Sequence, residues 1–217
     1  MSEFKDTPGH CLGHMCGLAR TTGGPNSTFA LLGGDICHFA GCIRPSTQIP
    51  LPDTISDGFL DADAYFPKPC PCSLFVDCHP SKKSSDTASS LDGRVTPFYR
   101  ISTDQSAAYA DPHESQVSVD KLVHFDASDS VLICLAHDDT MLYTLPTLNS
   151  SPEDDLNNWQ RRGYKKHIHW GWLNHLSRGA KPGREEFVKG FWRDEKPWAD
   201  GKQELRRKGE IASKFTL

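Results

Sequence analysis

Six consecutive apolar residues, Val131 to Ala136, set between Ser130 and His137, do most to narrow what this 217-residue chain can fold into. The run is short for a helix and does not alternate in polarity, so it reads as a strand buried on both faces. Such a strand needs neighbours in a sheet and cover above and below. The neighbours are found early in the chain. Residues 14–22, His-Met-Cys-Gly-Leu-Ala-Arg-Thr-Thr, suit a strand. Gly23-Gly24-Pro25-Asn26 is a strong turn, and Thr28-Phe29-Ala30-Leu31-Leu32 is a short apolar strand that stops at Gly33-Gly34-Asp35. The sheet core is therefore expected at residues 14–34 and 130–136.

Covering helices are expected near residues 118–126 and 152–178. The first has Ser118 as its cap and Leu122, Val123 and Phe125 as apolar contacts. The second region divides at Gly163: one helix follows Ser151 as cap, and another runs from Tyr164 to Arg178, with Ile168, Trp172, Leu173 and Leu176 at helical spacing. Trp159 and Trp172 are expected to anchor these helices on the sheet. Residues 45–117 are rich in Pro, Ser, Asp and Gly and read as a loop-rich insertion, with a low-complexity stretch from Ser81 to Ser90. Periodicity alone supports a mixed α and β domain over residues 1–178, followed by a tail over 179–217.

Charge excludes some function classes. The net charge is −4, and residues 178–217 are mildly basic, with 11 Lys and Arg against 7 Asp and Glu. Because Glu185, Glu186, Asp194, Glu195, Asp200, Glu204 and Glu210 interrupt these basic residues, the segment lacks the continuous field that tracks a phosphate backbone. A partly helical, solvated tail is expected and nucleic acid is not. No apolar run is long enough to span a bilayer, and Met1-Ser-Glu-Phe-Lys-Asp6 lacks the basic flank and apolar core of an export signal. A cytoplasmic protein is expected, with its eight cysteines as reduced thiols.

Three polar residues hold comparable positions. His10 lies in a glycine-containing turn before a strand, Asp35 follows an apolar strand, and His137 ends the most apolar strand. Imidazoles and carboxylates on strand-end loops can converge, and they are ligand types for Zn²⁺ or Mn²⁺. His14 and His38 read as polar packing residues that could also orient such ligands. Cys70, Cys72, Cys78 and His79 are four donors within ten residues, but not at zinc-knuckle spacing, so they read as unligated. Asp138 and Asp139 read as turn residues. His167 and His169, two apart on an expected helix, do not share a face and read as surface residues.

At Thr7-Pro8-Gly9-His10-Cys11-Leu12-Gly13-His14, Gly33-Gly34-Asp35 and Ala136-His137-Asp138 the sequence resembles the metallo-β-lactamase superfamily. The match is concentrated in residues 7–46 and 131–176. With Ile36-Cys37-His38 and the tryptophan-rich segment from Trp159 to Trp172, it is most similar to fungal members, which include thioesterases and lactonases. The resemblance implies an αββα sandwich. It assigns His10 to a first metal, Asp35 to a bridge between two metals and His137 to the second. It also implies hydrolysis of a small-molecule ester, thioester or lactone by a metal-bound hydroxide, with Asp35 placing the nucleophile.

The family's largest motif, His-x-His-x-Asp-His, precedes the Thr-Pro-Gly-His turn by many residues, and here six residues precede Thr7. The expectation is therefore an incomplete sandwich resembling the C-terminal half. It would hold one or two zinc ions, or manganese, weakly, either in two half-sites or as one ion shared by His10, Asp35 and His137. The alternative is a truncated, non-catalytic half-domain. Its uncovered apolar sheet face, at about 25 cal/mol for each Å² left wet, would drive pairing with itself or with a complementary half-domain.

Overall fold

A computed structural model describes residues 3–61, 66–83, 92–104, 107–147, 149, 151–176, 183, 184, 191–193 and 196–198. The architecture is α+β. Its centre is a four-stranded mixed sheet in the order β1-β2-β3-β6, made of β1 (Glu3–Asp6), β2 (Met15–Arg20), β3 (Phe29–Gly34) and β6 (Val131–Leu135). The first three strands run antiparallel to their neighbours, while β3 pairs with β6 in parallel. The hairpin turn and both apolar strands lie where the sequence places them. The edge strand β1 is an addition, four residues of EFKD with no apolar alternation to announce it.

Register gives the sheet two distinct faces. Leu18, Leu31 and Ile133 form one row. With Cys16, Val131 and Leu135 they pack against Val119 and Leu122 of α2 (Pro112–Ala127) in the main core. The other face carries Leu132, which packs with Trp159 and Ile168, and the row Phe4, Gly17, Leu32 and Cys134. That second face is covered over β6 and open over β1 to β3, where Phe4 is 72%, Met15 56% and Leu32 50% exposed.

Helix α2 begins six residues earlier than Ser118. Asp111 caps it, accepting from the Glu114 amide, and Pro112 occupies the first turn, where its missing N–H costs nothing. Ser118 instead lies buried within the helix, and its hydroxyl donates to the Pro8 carbonyl at 2.8 Å. Residues 152–163 form turns rather than a helix. The helix α4 (Tyr164–Gly171) starts after Gly163, whose φ of +70° breaks helical continuity. A 3₁₀ segment, Trp172–His175, extends it. Trp159, Ile168, Trp172, Leu173 and Leu176 are all buried.

Between the core elements lie β4 (Thr54–Ile55), β5 (Cys70–Pro71) and α1 (Ser73–Asp77). The short helix α3 (Asp139–Thr144) follows β6. Most of the low-complexity stretch and of the tail falls outside the described residues. The described part of the tail includes a hairpin of β7 (Phe191–Arg193) and β8 (Lys196–Trp198).

Candidate metal centre

Strand direction explains why distant residues meet. Because β3 and β6 are parallel neighbours, their carboxyl ends lie side by side, and the Ala136 amide donates to the Gly34 carbonyl just past the strands. Asp35 and His137 leave these two ends, so Oδ1 of Asp35 lies 3.0 Å from Nε2 of His137. β2 runs antiparallel to β3, which puts the start of β2, and with it the preceding turn, at the same edge. The other carboxylate oxygen of Asp35, Oδ2, lies 3.8 Å from Nε2 of His10. A single carboxylate thus faces two imidazoles, one with each oxygen.

The turn carrying His10 is held from several sides. Its Thr7 amide donates to the His14 carbonyl, while Ala110 and Asp111 donate to the carbonyls of His10 and Gly9. Gly9 has φ +122°, and a β-carbon there would lie 2.1 Å from the Ser115 nitrogen. Only glycine lets the turn lie so close to the first turns of α2. His14 is hydrogen bonded through Nδ1 to Thr7 Oγ1 at 2.9 Å. Gly34, at φ +54°, leaves room for the His14 ring beside it.

His38 joins the cluster closely. One ligating atom from each of Asp35, His38 and His137 lies within 4.8 Å of the others, a grouping that can hold a metal ion. The His38 ring centroid is 4.5 Å from that of His137 and 5.2 Å from that of His10. Burial and the nearby imidazoles of His137 and His10 lower its pKa, favouring the neutral, ligating form. Nδ1 of His10 and Nε2 of His38 are buried with no hydrogen-bond partner. The nitrogen and oxygen donor set of Asp35, His38 and His137, with a buried orphan nitrogen on His38, fits a divalent ion of the zinc or manganese type.

Tyr109 was not legible as a site residue, since Ala-Ala-Tyr-Ala carries no motif. Its ring stacks on His38 at 5.2 Å, and its oxygen accepts from the His38 amide. Burial pushes the phenol up to about 12. His38 and Tyr109 adjoin a cavity of about 440 Å³ that also includes Phe39, Tyr99 and Ile101.

The other sequence candidates are engaged elsewhere. Asp138 caps α3 through the Thr140 amide, and Asp139 accepts from His175 at 2.8 Å and Arg184 at 3.1 Å. All eight cysteines are free thiols, and His79 is satisfied by Ser81 and the Thr96 carbonyl. The reading of His169 as a surface residue is overturned. It is 5% exposed and faces Asp126 at 3.5 Å, whereas His167 is exposed and packs on Phe59. A charged partner already buried in α2 makes burial of that imidazole tolerable, and sequence spacing cannot show such a partner.

Known proteins match the same stretch of chain. The gamma-lactamase FDB1 of Fusarium pseudograminearum is 37% identical over 166 residues, covering 76% of this chain and 36% of its own length. The metallo-hydrolase mfmC of Annulohypoxylon moriforme is 30% identical over 169 residues, 78% of this chain and 38% of that protein. The names of these relatives support the resemblance to the metallo-β-lactamase superfamily. The gamma-lactamase MBL2 of Gibberella moniliformis is a further relative, 38% identical over 117 residues, 54% of this chain and 43% of its own. The chain thus spans well under half the length of the curated relatives it matches. No family profile and no solved structure matches it. Among the described residues, no helix is long and apolar enough to cross a membrane.

Proposed function

We propose that His10, Asp35, His38 and His137 hold a divalent metal ion, zinc in the first instance, in a centre that hydrolyses a small cyclic carbonyl compound, a lactone or γ-lactam, or a related ester or thioester. The observation that carries this reading is the placement of Asp35, one oxygen toward His10 and the other toward His137, with the unpartnered Nε2 of His38 nearby. The names of the fungal relatives supply the lactam and the metal.

When bound, the ion supplies the Lewis acidity that makes water a nucleophile near neutral pH and polarises a carbonyl. The chain's own residues do the rest. Asp35 orients the attacking water by hydrogen bonding. Tyr109, which keeps its proton at neutral pH, donates its O–H to the carbonyl oxygen as negative charge develops there. The apolar walls of the adjoining cavity take the body of the substrate.

The test is metal content followed by hydrolysis. Protein purified without chelator should hold about one equivalent of zinc or manganese, and Asp35→Asn should lose it. Content below about a tenth of an equivalent, unchanged by that substitution, would overturn the proposal.

A second, non-catalytic reading is supported by the open face over β1 to β3. The exposed row of Phe4 and Leu32, with Met15 beside it, suits a second copy of this chain laid face to face, since an uncovered apolar sheet face is costly in water. Light scattering of the purified chain tests it, and a monomer at all concentrations would exclude it.

A further inference from the structure

Strand β1 ends the sheet order β1-β2-β3-β6, and among the described residues nothing pairs with its outer side. Antiparallel pairing alternates residues that exchange hydrogen bonds with the neighbouring strand and residues whose N–H and C=O point away from it. One residue past β1, the Thr7 amide donates to the His14 carbonyl at 3.1 Å. With Phe4 opposite Gly17 and Lys5 opposite Cys16, the residues bonded to β2 are then Glu3, Lys5 and Thr7. The other side of β2 agrees. The Thr21 amide donates to the Thr28 carbonyl, and by the same alternation Gly17 turns its backbone groups toward Leu32 and away from Phe4. The N–H and C=O groups of Phe4 and Asp6 therefore point out of the sheet edge. A row of such groups is a template for another strand.

Which strand fits there follows from the charges on β1. Glu3 and Lys5 lie two apart on one face of the strand, with Nζ of Lys5 2.6 Å from Oε1 of Glu3, and both side chains reach solvent. Phe4, on the opposite face, is largely exposed. A second copy of β1 laid antiparallel, with Phe4 opposite Phe4, sets Glu3 opposite Lys5 on either side of the centre, and opposite charges there stabilise the pair. Centring the two strands on Glu3, Lys5 or Asp6 instead sets two identical charges against each other. The Phe4-centred register also brings outward N–H groups to outward C=O groups, so each Phe4 exchanges two hydrogen bonds with its counterpart. Charges that blunt the edge against an arbitrary strand thus match a second copy in one register.

We propose that two copies of this chain associate through β1, edge to edge and antiparallel about Phe4, joining their four-stranded sheets into one of eight strands. The contact is separate from stacking of the open faces, because it uses the backbone edge and leaves Met15 and Leu32 uncovered. It is separate from the metal centre as well, since Asp35 and His137 follow β3 and β6, two and three strands away. Four residues of edge bury little area, so the dimer is weak, with a dissociation constant on the order of 100 µM.

The experiment is sedimentation velocity of the 217-residue chain carrying Leu32→Lys, which disables stacking of the open face, at concentrations from about 10 to about 500 µM. A reversible dimer is expected. Adding Glu3→Lys or Lys5→Glu puts like charges at both cross-strand pairs and should weaken the dimer about ten-fold or more. An equimolar mixture of those two variants should associate again, because each lysine of one chain then faces a glutamate of the other. Phe4→Pro removes an outward donor without removing a bond to β2, and it should abolish association with the circular dichroism spectrum intact. A monomer throughout the range, a dimer indifferent to both charge reversals, or a mixture that stays dissociated would overturn the proposal. If Leu32→Lys fails to fold, the same reversals and their mixture in the otherwise unmodified chain decide it.

Discussion

Nε2 of His137 stands 3.0 Å from Oδ1 of Asp35, although 101 positions separate them in the chain. The parallel pairing of β3 and β6 holds them there, so the contact depends on the strands more than on the loops. Replacing Asp35 by Asn keeps the shape and removes the charge facing both histidines. Zinc affinity, read by competition with a chromogenic chelator, should fall by about 100-fold or more, because a neutral amide is a poor ligand for a divalent ion. His38→Ala should lower it too, whereas an unchanged affinity in that variant would remove His38 from the donor set.

The buried Arg44–Asp126 pair is expected to dominate the response to mutation. Both side chains are nearly inaccessible, at 3% and 4% exposure. Arg44→Leu strands a carboxylate in the core and should cost about 3–5 kcal/mol in urea unfolding, with the double change Arg44→Leu, Asp126→Leu recovering part of the loss.

Acid sensitivity should show two steps. Burial lowers the pKa of His169 below 6.5, so the unfolded chain takes up that proton first and stability falls as pH drops below about 6.5. The Asp126 carboxyl is held below its ordinary 3.8 by Arg44 and His169, which outweigh the opposing effect of burial. Its contribution is therefore complete above about pH 4 and is lost only in stronger acid. Urea midpoints measured from about pH 8 to pH 3 should decline first near 6.5, and His169→Gln should flatten that first decline without abolishing the second.

Gly9 offers a local test of the turn. Gly9→Ala meets both a φ of +122° and backbone atoms of Ser115, so it should cost at least about 2 kcal/mol and weaken metal binding through displacement of His10. Gly23→Ala, with open space around it, should change the thermal midpoint little.

The open sheet face predicts concentration-dependent association. Leu32→Lys should lower the apparent mass in light scattering and leave the circular dichroism spectrum intact, because the residue is half-exposed on a paired strand. A wild-type chain that is monomeric at about 100 µM would show that the face needs no cover.

Much of this protein is set locally and could be read as such. The apolar run of β6, the turn at Gly23 to Asn26 and the Gly9 and Gly34 positions are properties of neighbouring residues. So is the strand-end placement of His10, Asp35 and His137. The start of α2 was displaced because an Asp and a Pro beginning a helix outweigh a serine whose hydroxyl is used in a tertiary contact. What tertiary structure decided is convergence. Parallel pairing of β3 with β6 brings Asp35 to His137, the return of residue 109 lays Tyr109 on His38, and a buried Asp126 draws His169 inward. Each depends on pairing between residues far apart in the chain, and no local rule of propensity or polarity carries that information.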